Sequence, residues 1–463
     1  MLKFSRYTHM YELNDAIALY HSLRMVPVYL NKEIYQDLQA WLVSPFSKNL
    51  DNVPNTLKHE INELIKFKIL TQKEDEDDNV LSFVKSKIPK PMINVCYMVL
   101  SEQCNLACKY CFLGNNDEEK RSHFVLENMS KEVADKAIEF FVDQIKLSGM
   151  DYNYNKPIII FYGGEPLMNY EILVYISNKI NRLRSIEPCL KNTELSMVTN
   201  GTLLTDERII QLKKLGVSIG ISIDGFNEEA NKNRVDLSGK QVFNRILDAL
   251  DRCKKIGANV SLSVTLTEET INNNEDIQKL VDKYDIKSFG FNIMMSSENF
   301  KLSETYNKKA AQFIIDQFLK FREKGIYEDR IMRKLKSFTK GQIYFSDCAA
   351  TAGGQVVISP TGKVGICHGC LHDKKYFVTD IYDKSFNAAK NDKYIEWSQL
   401  TPINKDECQD CSALGICGGG CPVNAMNLKK GNTIHDIDER FCIHAKMTLE
   451  FLIKDLYRII SEG

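Results

Sequence analysis

The feature that most constrains the fold of this chain is an alternation of short β-branched runs with helical patterns between about residues 93 and 300. Six runs have the length and composition of strands: INVCYMVL, PIIIFY, TELSMVT, VSIGISI, NVSLSVTL and IKSFGFNIMM. Helical patterns lie between them, near residues 129–148, 169–184, 205–215, 240–256 and 275–284. Strands alternating with helices form βαβ units on a parallel sheet, so we predict an α/β fold.

Charge and cysteine usage limit the classes of protein to which the chain can belong. Its 463 residues carry a formal net charge of −1, which argues against nucleic-acid or anionic-membrane partners. We find no uncharged apolar stretch long enough for a membrane span and no apolar signal core in MLKFSRYTHMYELND, so a cytoplasmic location is expected. Fourteen cysteines in such a chain favour metal or cluster ligation over a disulfide framework.

Composition divides the chain into three predicted domains, residues 1–80, 90–325 and 340–463. The first contains two strand-like pieces, IALYHSL and MVPVYL, and the helical pattern TLKHEINELIKFKIL. The acidic run at residues 74–78 is typical of a solvated hinge. The third domain holds eight of the fourteen cysteines and ends in an apolar helical pattern near residues 442–460.

Three thiols lie close together directly after the first predicted strand. The stretch CNLACKYC contains Cys104, Cys108 and Cys111. A structural zinc site closes with four ligands, whereas an iron–sulfur cube bound by three thiolates keeps one iron open. A second molecule can bind at an open iron, but from the loop alone zinc and accidental clustering both stay open.

Polar residues follow three of the other predicted strands. Gly163–Pro166, with the sequence GGEP, ends the second run; its glycines permit close backbone approach, and the Glu165 carboxylate can receive an ammonium group. Asn200 and Gly201 end the third run, and Asp224 and Gly225 end the fourth, which carries Ser222 and is followed by Arg234. The carboxyl ends of parallel strands meet at one edge, so we expect a single site there. Turns explain any one of these sets equally well.

Together these residues resemble the radical S-adenosylmethionine (SAM) superfamily. Cys104, Cys108 and Cys111 match its Cys-x₃-Cys-x₂-Cys loop, and the GGEP residues Gly163, Gly164, Glu165 and Pro166 match the motif that binds the methionine amino group. The resemblance places the adenine beside Tyr110 and Phe112, and the ribose and carboxylate beside Asn200, Ser222 and Arg234. It implies a partial (β/α)₆ TIM barrel, which agrees with the six predicted strands. It also implies that one electron from a [4Fe–4S] cluster cleaves S-adenosylmethionine to a 5′-deoxyadenosyl radical.

The cysteines of the third domain resemble the SPASM extension of this superfamily. The spacing is Cys408-x₂-Cys411-x₅-Cys417-x₃-Cys421, with Cys348 and Cys367 before it and Cys442 after it. By this resemblance Cys348, Cys367 and Cys421 hold one auxiliary [4Fe–4S] cluster, and Cys408, Cys411, Cys417 and Cys442 hold another, which makes three clusters in all. Two structural zinc sites are the alternative.

Two full auxiliary clusters need eight ligands, and this motif supplies seven. Cys370 could be the eighth ligand; otherwise one iron stays open to a substrate thiolate. The remaining cysteines, Cys96, Cys189 and Cys253, are expected to be small buried hydrophobic residues.

The N-terminal region resembles the winged-helix-like, PqqD-like domain with which peptide maturases bind a leader, although a simple cap on the barrel is the alternative. SPASM enzymes modify peptides more often than metabolites. We therefore expect a ribosomal precursor peptide with a leader as substrate, and an external flavodoxin- or ferredoxin-like electron donor. The group includes thioether-forming ranthipeptide and sactipeptide synthases.

Several reactions fit this resemblance, and a thioether to a peptide cysteine is the product that we expect. The alternatives are carbon–carbon cross-linking, epimerisation and oxidation of the sulfatase-maturing type. The last loses support because anaerobic sulfatase-maturing enzymes place an aspartate after the cysteine that matches Cys367, and here the residue is His368. His368 could accept a proton instead, or be an exposed loop histidine. A non-catalytic iron–sulfur or zinc scaffold that binds peptides is the alternative from another class.

Overall fold

The computed structural model of the protein describes residues 2–73, 75–113, 127–152, 154–273, 275–295, 301–429 and 431–462. The strands are β1 Lys3–Phe4, β2 Thr8–Glu12, β3 Ala16–His21, β4 Pro27–Asn31, β5 Leu70–Thr71, β6 Val95–Ser101, β7 Ile158–Gly163, β8 Glu194–Thr199, β9 Val217–Ile223, β10 Val260–Leu266, β11 Ser288–Ile293, β12 Tyr327–Glu328, β13 Gln355–Ile358, β14 Lys363–Gly365 and β15 Phe377–Asp380. The helices are α1 Lys32–Val43, α2 Lys58–Lys66, α3 Glu76–Lys85, α4 Lys131–Leu147, α5 Tyr170–Leu183, α6 Asp206–Leu215, α7 Phe243–Ile256, α8 Glu268–Asn272, α9 Asp276–Tyr284, α10 Tyr306–Arg322, α11 Asp329–Lys340, α12 Asp392–Ser398, α13 Pro422–Leu428 and α14 Glu439–Glu462.

A ten-stranded sheet forms the centre of the molecule, in the order β12-β11-β10-β9-β8-β7-β6-β13-β14-β15. Strands β6 to β11 are the six predicted strands, and each pairs in parallel with the next along the chain. The prediction of an α/β fold with a parallel sheet is therefore confirmed. The sheet does not close on itself among the described strands, because β12 and β15 stand at its two ends.

The two faces of this sheet differ in polarity. On β9, Ile219, Ile221 and Ile223 point to one face and are buried in the main hydrophobic core with the helices. Ser222 points to the other face and is only half-buried, as is its neighbour Ser263 on β10. Because side chains alternate along a strand, this second face is polar and partly exposed on β9 and β10, and we call it the open face. On β6 and β7 the same face carries Tyr97, Val99 and Tyr162. This open face leads to the carboxyl ends of the strands.

The cysteine-rich region continues the central sheet, which the sequence did not predict. Strand β13 pairs in parallel with β6, from Gln355 opposite Val95 to Ile358 opposite Met98. Strands β14 and β15 then add in antiparallel fashion. The region after β13 is thus held at a fixed position beside the strand that precedes the thiol loop.

The N-terminal region forms a separate antiparallel sheet of β2, β3 and β4. One face of this sheet packs on helices α1 and α2 through a core that includes Leu19 and Leu38. Its other face, with Ala18 and Tyr20, packs on Leu449 of helix α14. The sheet therefore lies between its own helices and the C-terminal region.

The prediction of a hinge in the acidic run is wrong for the residues that the structure describes. Glu76, Asp77 and Asp78 form the first turn of helix α3, where acidic side chains favour the positive end of the helix dipole. Asp77 also accepts hydrogen bonds from Ser5 Oγ at 2.6 Å and Arg6 N at 3.0 Å. Residue 74 lies outside the described residues.

Within the described ranges, no helix is both long enough and apolar enough to cross a bilayer.

Candidate functional site

The loop of residues 104–111 begins just beyond the carboxyl end of β6, and the segment around Arg234 holds it in place. Ala107 N donates to Val235 O at 2.8 Å, and Lys109 N donates to Asn233 O at 2.9 Å. A turn within the loop, with Cys111 N donating to Cys108 O at 3.0 Å, brings the second and third thiols to one side. The three predicted thiols therefore converge at the edge of the sheet where the site was expected.

Burial controls the protonation of these thiols. It raises the pKa of Cys104 to about 12 and the pKa of Cys108 to about 11, with the neighbouring thiols adding to the effect and the Arg234 charge opposing it at Cys108. A nucleophilic cysteine needs a lowered pKa, so these thiols do not fit that role. Coordination to metal deprotonates a thiol outright, and a buried group of thiols fits that role.

The GGEP glycines lie against the backbone that leads into the thiol loop. A Cβ atom on Gly163 would lie 2.1 Å from Ser101 O, and one on Gly164 would lie 2.3 Å from Gln103 O. Glycine is therefore required at both positions by the protein's own backbone. The close approach fixes the start of the loop relative to β7.

The Glu165 carboxylate is buried and accepts three hydrogen bonds from the chain. Its donors are Leu167 N at 3.0 Å, Thr199 Oγ1 at 2.7 Å and Asn200 N at 2.8 Å. Burial raises the pKa of Glu165, and these hydrogen bonds oppose the rise. Glu165 thus ties the end of β7 to the end of β8, where Asn200 stands.

Asn200 lies directly beside the thiol loop. Its Nδ2 donates to Asn105 Oδ1 at 3.0 Å and lies 3.9 Å from Cys104 Sγ, while its Oδ1 accepts from Thr202 Oγ1 at 2.7 Å. Ser222 lies on the open face of the sheet and is half-buried. Asn200 therefore borders the space next to the three thiols.

Arg234 forms a buried ion pair with Asp224. Its Nε donates to Asp224 Oδ1 at 2.9 Å, and the Tyr110 hydroxyl donates to the other carboxylate oxygen. The guanidinium also stacks on the Tyr110 ring, 5.7 Å from its centroid. Asp224 thus links Arg234 to Tyr110, which is part of the thiol loop.

Phe112 lies near His368 of the cysteine-rich region. Its ring is 44% exposed and lies 6.3 Å from the His368 imidazole, centroid to centroid. The described contacts do not bring the two predicted adenine neighbours into one stack.

A second group of thiols forms around Cys367. Cys348 and Cys421 lie close enough for their charges to influence Cys367 or be influenced by it. Cys370, which is buried, shares a hydrogen bond with the Cys367 thiol, and together with burial this contact raises the pKa of Cys367. The structure therefore brings Cys370 into the predicted group of three.

A third group contains Cys408, Cys411, Cys417 and Cys442. Burial raises the pKa of Cys408 to about 11 and that of Cys442 to about 12, and the nearby thiols add to both shifts. We call these four residues the Cys408 quartet. Its members are the four that the sequence assigned to one cluster.

A structural zinc site places four ligands around one ion. Among the described residues, no three His, Cys, Asp or Glu side chains converge tightly enough to hold a single metal ion. The three groups of thiols supply the sulfur donors that iron–sulfur clusters use.

Two tyrosines that the sequence did not single out link the first two thiol groups. Tyr97 of β6 stacks on His368 at 4.4 Å, and Tyr162 of β7 lies 5.1 Å from the same ring. Tyr162 is close enough to both Cys111 and Cys367 for their charges to raise its pKa, although burial is the larger cause. The sequence shows one tyrosine on each of two adjacent predicted strands. Their partner His368 comes from a distant segment, so the contact could not be predicted.

Residues 98–282 match the family model of the radical SAM superfamily. The whole chain is similar to the radical SAM cyclopropyl synthase TigE of Paramaledivibacter caminithermalis, with 26% identity over 99% of this chain and 97% of TigE. The chain therefore contains a radical SAM domain, and it is an enzyme. Enzymes of this superfamily use S-adenosylmethionine and a [4Fe–4S] cluster.

Two solved structures share the fold. The structure of anSMEcpe with bound AdoMet has a TM-score of 0.63 and 21% identity, and the match covers 80% of this chain and 96% of that one. Streptococcus suis SuiB bound to precursor peptide SuiA has a TM-score of 0.54 and 15% identity, over 96% of this chain and 100% of SuiB.

Proposed function

We propose that this chain is a peptide maturase that removes a hydrogen atom from a ribosomal precursor peptide and makes a new bond at the resulting carbon radical. One observation carries the proposal. Cys111 of the Cys104 loop and Cys367 of the second thiol group both lie near Tyr162, whose side chain is on the open face of the sheet. A substrate on that face would lie near two groups of cluster ligands.

Cys104, Cys108 and Cys111 would hold the [4Fe–4S] cluster that binds S-adenosylmethionine. When bound, this pair supplies a 5′-deoxyadenosyl radical able to remove an unactivated hydrogen. The chain's own part is to hold the loop through the Arg234 segment, to fix its start through Gly164 and to place Asn200 beside Cys104. We propose that Tyr110, Phe112, Asn200, Ser222 and Arg234 contact or position the nucleotide.

Two auxiliary [4Fe–4S] clusters in a SPASM domain would complete the set of cofactors. We propose Cys348, Cys367, Cys370 and Cys421 as ligands of one cluster and the Cys408 quartet as ligands of the other. The contact between the Cys367 and Cys370 thiols supports four ligands in the first group. Both clusters would then be saturated, and their role would be to carry electrons.

The N-terminal sheet is the proposed site for the leader of the peptide. TigE is similar to this chain along its whole length, and SuiB, a structural neighbour, was solved with its precursor peptide SuiA. An extended leader could add to the open edge of β4, which begins with a proline as edge strands often do. An external flavodoxin- or ferredoxin-like protein would supply electrons.

The expected thioether has a competitor. If Cys370 is a ligand, the Cys367 group leaves no iron to which a substrate thiolate can bind. That reasoning, together with the similarity to a cyclopropyl synthase along 99% of the chain, favours carbon–carbon bond formation. The thioether stays the product to be tested beside it.

His368 is the proposed proton acceptor. Burial lowers the pKa of His368 to about 4, which keeps its imidazole neutral. Its Nδ1 atom is buried and has no hydrogen-bond partner among the described residues. In this proposal the neutral imidazole between Tyr97 and Tyr162 accepts a proton from the substrate, and its lowered pKa makes it a weaker base than an unperturbed histidine.

Purification without oxygen tests the proposed cofactors. The protein should bind roughly a dozen irons and release 5′-deoxyadenosine when reduced with S-adenosylmethionine. Cys104→Ala should abolish the release, whereas Cys253→Ala, at a buried cysteine of helix α7, should leave it unchanged. Release at the wild-type rate from Cys104→Ala would refute the assignment of the loop.

The product can be identified by mass spectrometry of a small cysteine-containing peptide encoded beside this gene and co-expressed with it. A loss of two hydrogens with a thiol that no longer reacts with iodoacetamide indicates a thioether. The same loss with every thiol still reactive indicates a carbon–carbon bond. An unchanged mass, with isotope exchange at one α-carbon, would show epimerisation and overturn both proposals.

A further inference from the structure

Helix α11 places a fully buried lysine beside the Cys408 quartet. Lys334 is 1% exposed, and its Nζ donates to Cys417 O at 3.1 Å. The same Nζ lies 3.5 Å from Asp347 Oδ1 and 5.3 Å from the centroid of the Tyr344 ring. The ammonium group is thus held at a fixed position at the inner side of the quartet.

The surroundings of Lys334 contain more positive than negative charge. Arg330 pairs with Asp347 at 3.1 Å, and Arg333 donates to the backbone carbonyl of Asp347. Asp347 is the buried carboxylate that these three cations share, and Asp329, which pairs with Arg333, is half-exposed. Glu328 is a second buried carboxylate near Arg330, and burial raises its pKa to about 7.

An excess of buried positive charge is unfavourable unless an anion compensates it. Four thiolates around an iron–sulfur cube supply such an anion. Lys334 contacts the quartet through the backbone carbonyl of Cys417. The buried ammonium group therefore lies where it would stabilise negative charge on the thiols of the quartet.

We propose that Lys334 is a positioning residue that raises the reduction potential of the centre bound by the Cys408 quartet. The inference rests on the proposed auxiliary cluster at these thiols. Each added electron makes such a centre more negative, and a fixed cation in a medium of low dielectric constant stabilises the reduced form. The centre would then accept the electron that remains when the new bond forms in the peptide.

Lys405 is a second lysine near the quartet and offers a matched control. Its charge also acts on Cys408, Cys417 and Cys442, but the side chain is only half-buried and its Nζ donates to Asp436 O at 2.7 Å. Solvent and salt screen a half-exposed charge. Removing Lys405 should therefore change the potential less than removing Lys334, and by an amount that falls as salt is added.

The test is a redox titration monitored by electron paramagnetic resonance, on full-length protein that carries alanine in place of Cys104, Cys108 and Cys111. A Cys417→Ala variant identifies which reduction step belongs to the quartet. Lys334→Met should make reduction of that step about tenfold less favourable, a fall of about 59 mV for one electron. Lys334→Arg, which keeps the charge, should restore most of the wild-type value.

Each outcome has a distinct meaning. An unchanged potential in Lys334→Met, or an equal fall in Lys334→Arg, overturns the role of the lysine charge. If Lys334→Met does not assemble the centre, Asp347→Asn removes the opposing carboxylate, and its potential should rise; a fall would overturn the proposal. If Cys417→Ala keeps every reduction step and all of its iron, the auxiliary site itself is wrong.

Discussion

At the scale of single residues, the backbone of the chain explains why glycine is needed in the GGEP motif. Gly164 packs on Gln103, which directly precedes Cys104, so any side chain at residue 164 would displace the thiol loop. Its backbone does not require glycine for its φ angle, since it is absent from the residues with positive φ. The requirement is therefore one of space alone, and alanine tests it directly.

Gly164→Ala should lower the iron bound at the first thiol group and abolish release of 5′-deoxyadenosine, because its Cβ would lie 2.3 Å from Gln103 O. Iron analysis and product chromatography after anaerobic reconstitution measure both. Gly290→Ala is the control, since a Cβ on that strand glycine would meet Asp329 Cβ at an ordinary 3.7 Å. Full iron and full release in Gly164→Ala would show that the loop does not depend on this contact.

The Asp224–Arg234 pair gives a second prediction at this scale. Asp224→Asn leaves a buried guanidinium without its counter-charge, which should lower the free energy of unfolding by about 3 kcal/mol. Urea titration under anaerobic conditions measures this loss. Glu139→Gln, at an exposed pair with Lys136, should change it by roughly 0.5 kcal/mol or less. Equal losses in the two variants would contradict a structural role for the buried pair.

The motif residues could be predicted from the sequence, but most of their partners could not. The spacing of the thiols indicated ligands of a metal or cluster, and the resemblance to the radical SAM superfamily added Arg234. The engagement of Arg234 by Asp224, and of Glu165 by Thr199, depends on side-chain directions at the ends of different strands. The contact between Lys334 and Cys417 joins residues more than eighty positions apart, and a lysine in a helical pattern normally indicates a solvated face.

At the scale of elements, the six parallel strands β6 to β11 of the central sheet were predictable and strand β13 was not. Each of the six is a β-branched run bounded by a helical pattern, so its type follows from local sequence. Gln355–Ile358 is only four residues long, and its place beside β6 is set by pairing with Val95–Met98. The prediction of a hinge at the start of helix α3 failed for a related reason. Ser5 and Arg6, which are distant in sequence, donate hydrogen bonds that stabilise this end of the helix.

The end of strand β3 gives a prediction about pH. His21 is fully buried, and its Nδ1 accepts hydrogen bonds from Leu23 N at 3.2 Å and Arg24 N at 3.3 Å. Burial lowers the pKa of His21 to about 4. Between pH 6.5 and about 4 the unfolded chain therefore binds a proton that the folded chain does not. The contribution of neutral His21 is complete above pH 6.5 and is lost as the pH falls to about 4.

Through His21, acidification to about pH 4 should therefore lower the free energy of unfolding by about 3 kcal/mol. Each unit of difference between the pKa values in the folded and unfolded chain corresponds to about 1.4 kcal/mol. Urea titrations at several pH values between 4 and 7.5 measure the loss. His21→Gln keeps a hydrogen-bond acceptor but cannot take up the proton, so its stability should fall less over this range. Parallel curves for the two proteins would assign the acid sensitivity to other groups.

At the scale of the whole molecule, the N-terminal region is fixed to the Cys408 quartet. Tyr29 OH donates to Ile453 O of helix α14 at 2.8 Å, and Tyr457 of that helix donates to Asp15 at 2.9 Å. Tyr11 of β2 lies beside Cys411 and shares a hydrogen bond with Ser412. A leader bound to this sheet would therefore be held at a constant distance from an auxiliary centre. Sequence patterns located both regions, but nothing local in either one indicated this contact.

Gly415 is the tightest point of the contact and allows the arrangement to be tested. A Cβ on this residue would lie 2.4 Å from Ser22 O and 2.7 Å from Met25 Sδ, and Gly415 stands in the loop between Cys411 and Cys417. Gly415→Ala must therefore either push the N-terminal sheet away or shift the loop. We expect a lower thermal midpoint, less iron in the quartet and weaker modification of a leader-bearing peptide. Release of 5′-deoxyadenosine without peptide should persist, because the Cys104 loop is elsewhere. Loss of this release together with the iron of all three centres would show that the whole fold, and not this one contact, depends on residue 415.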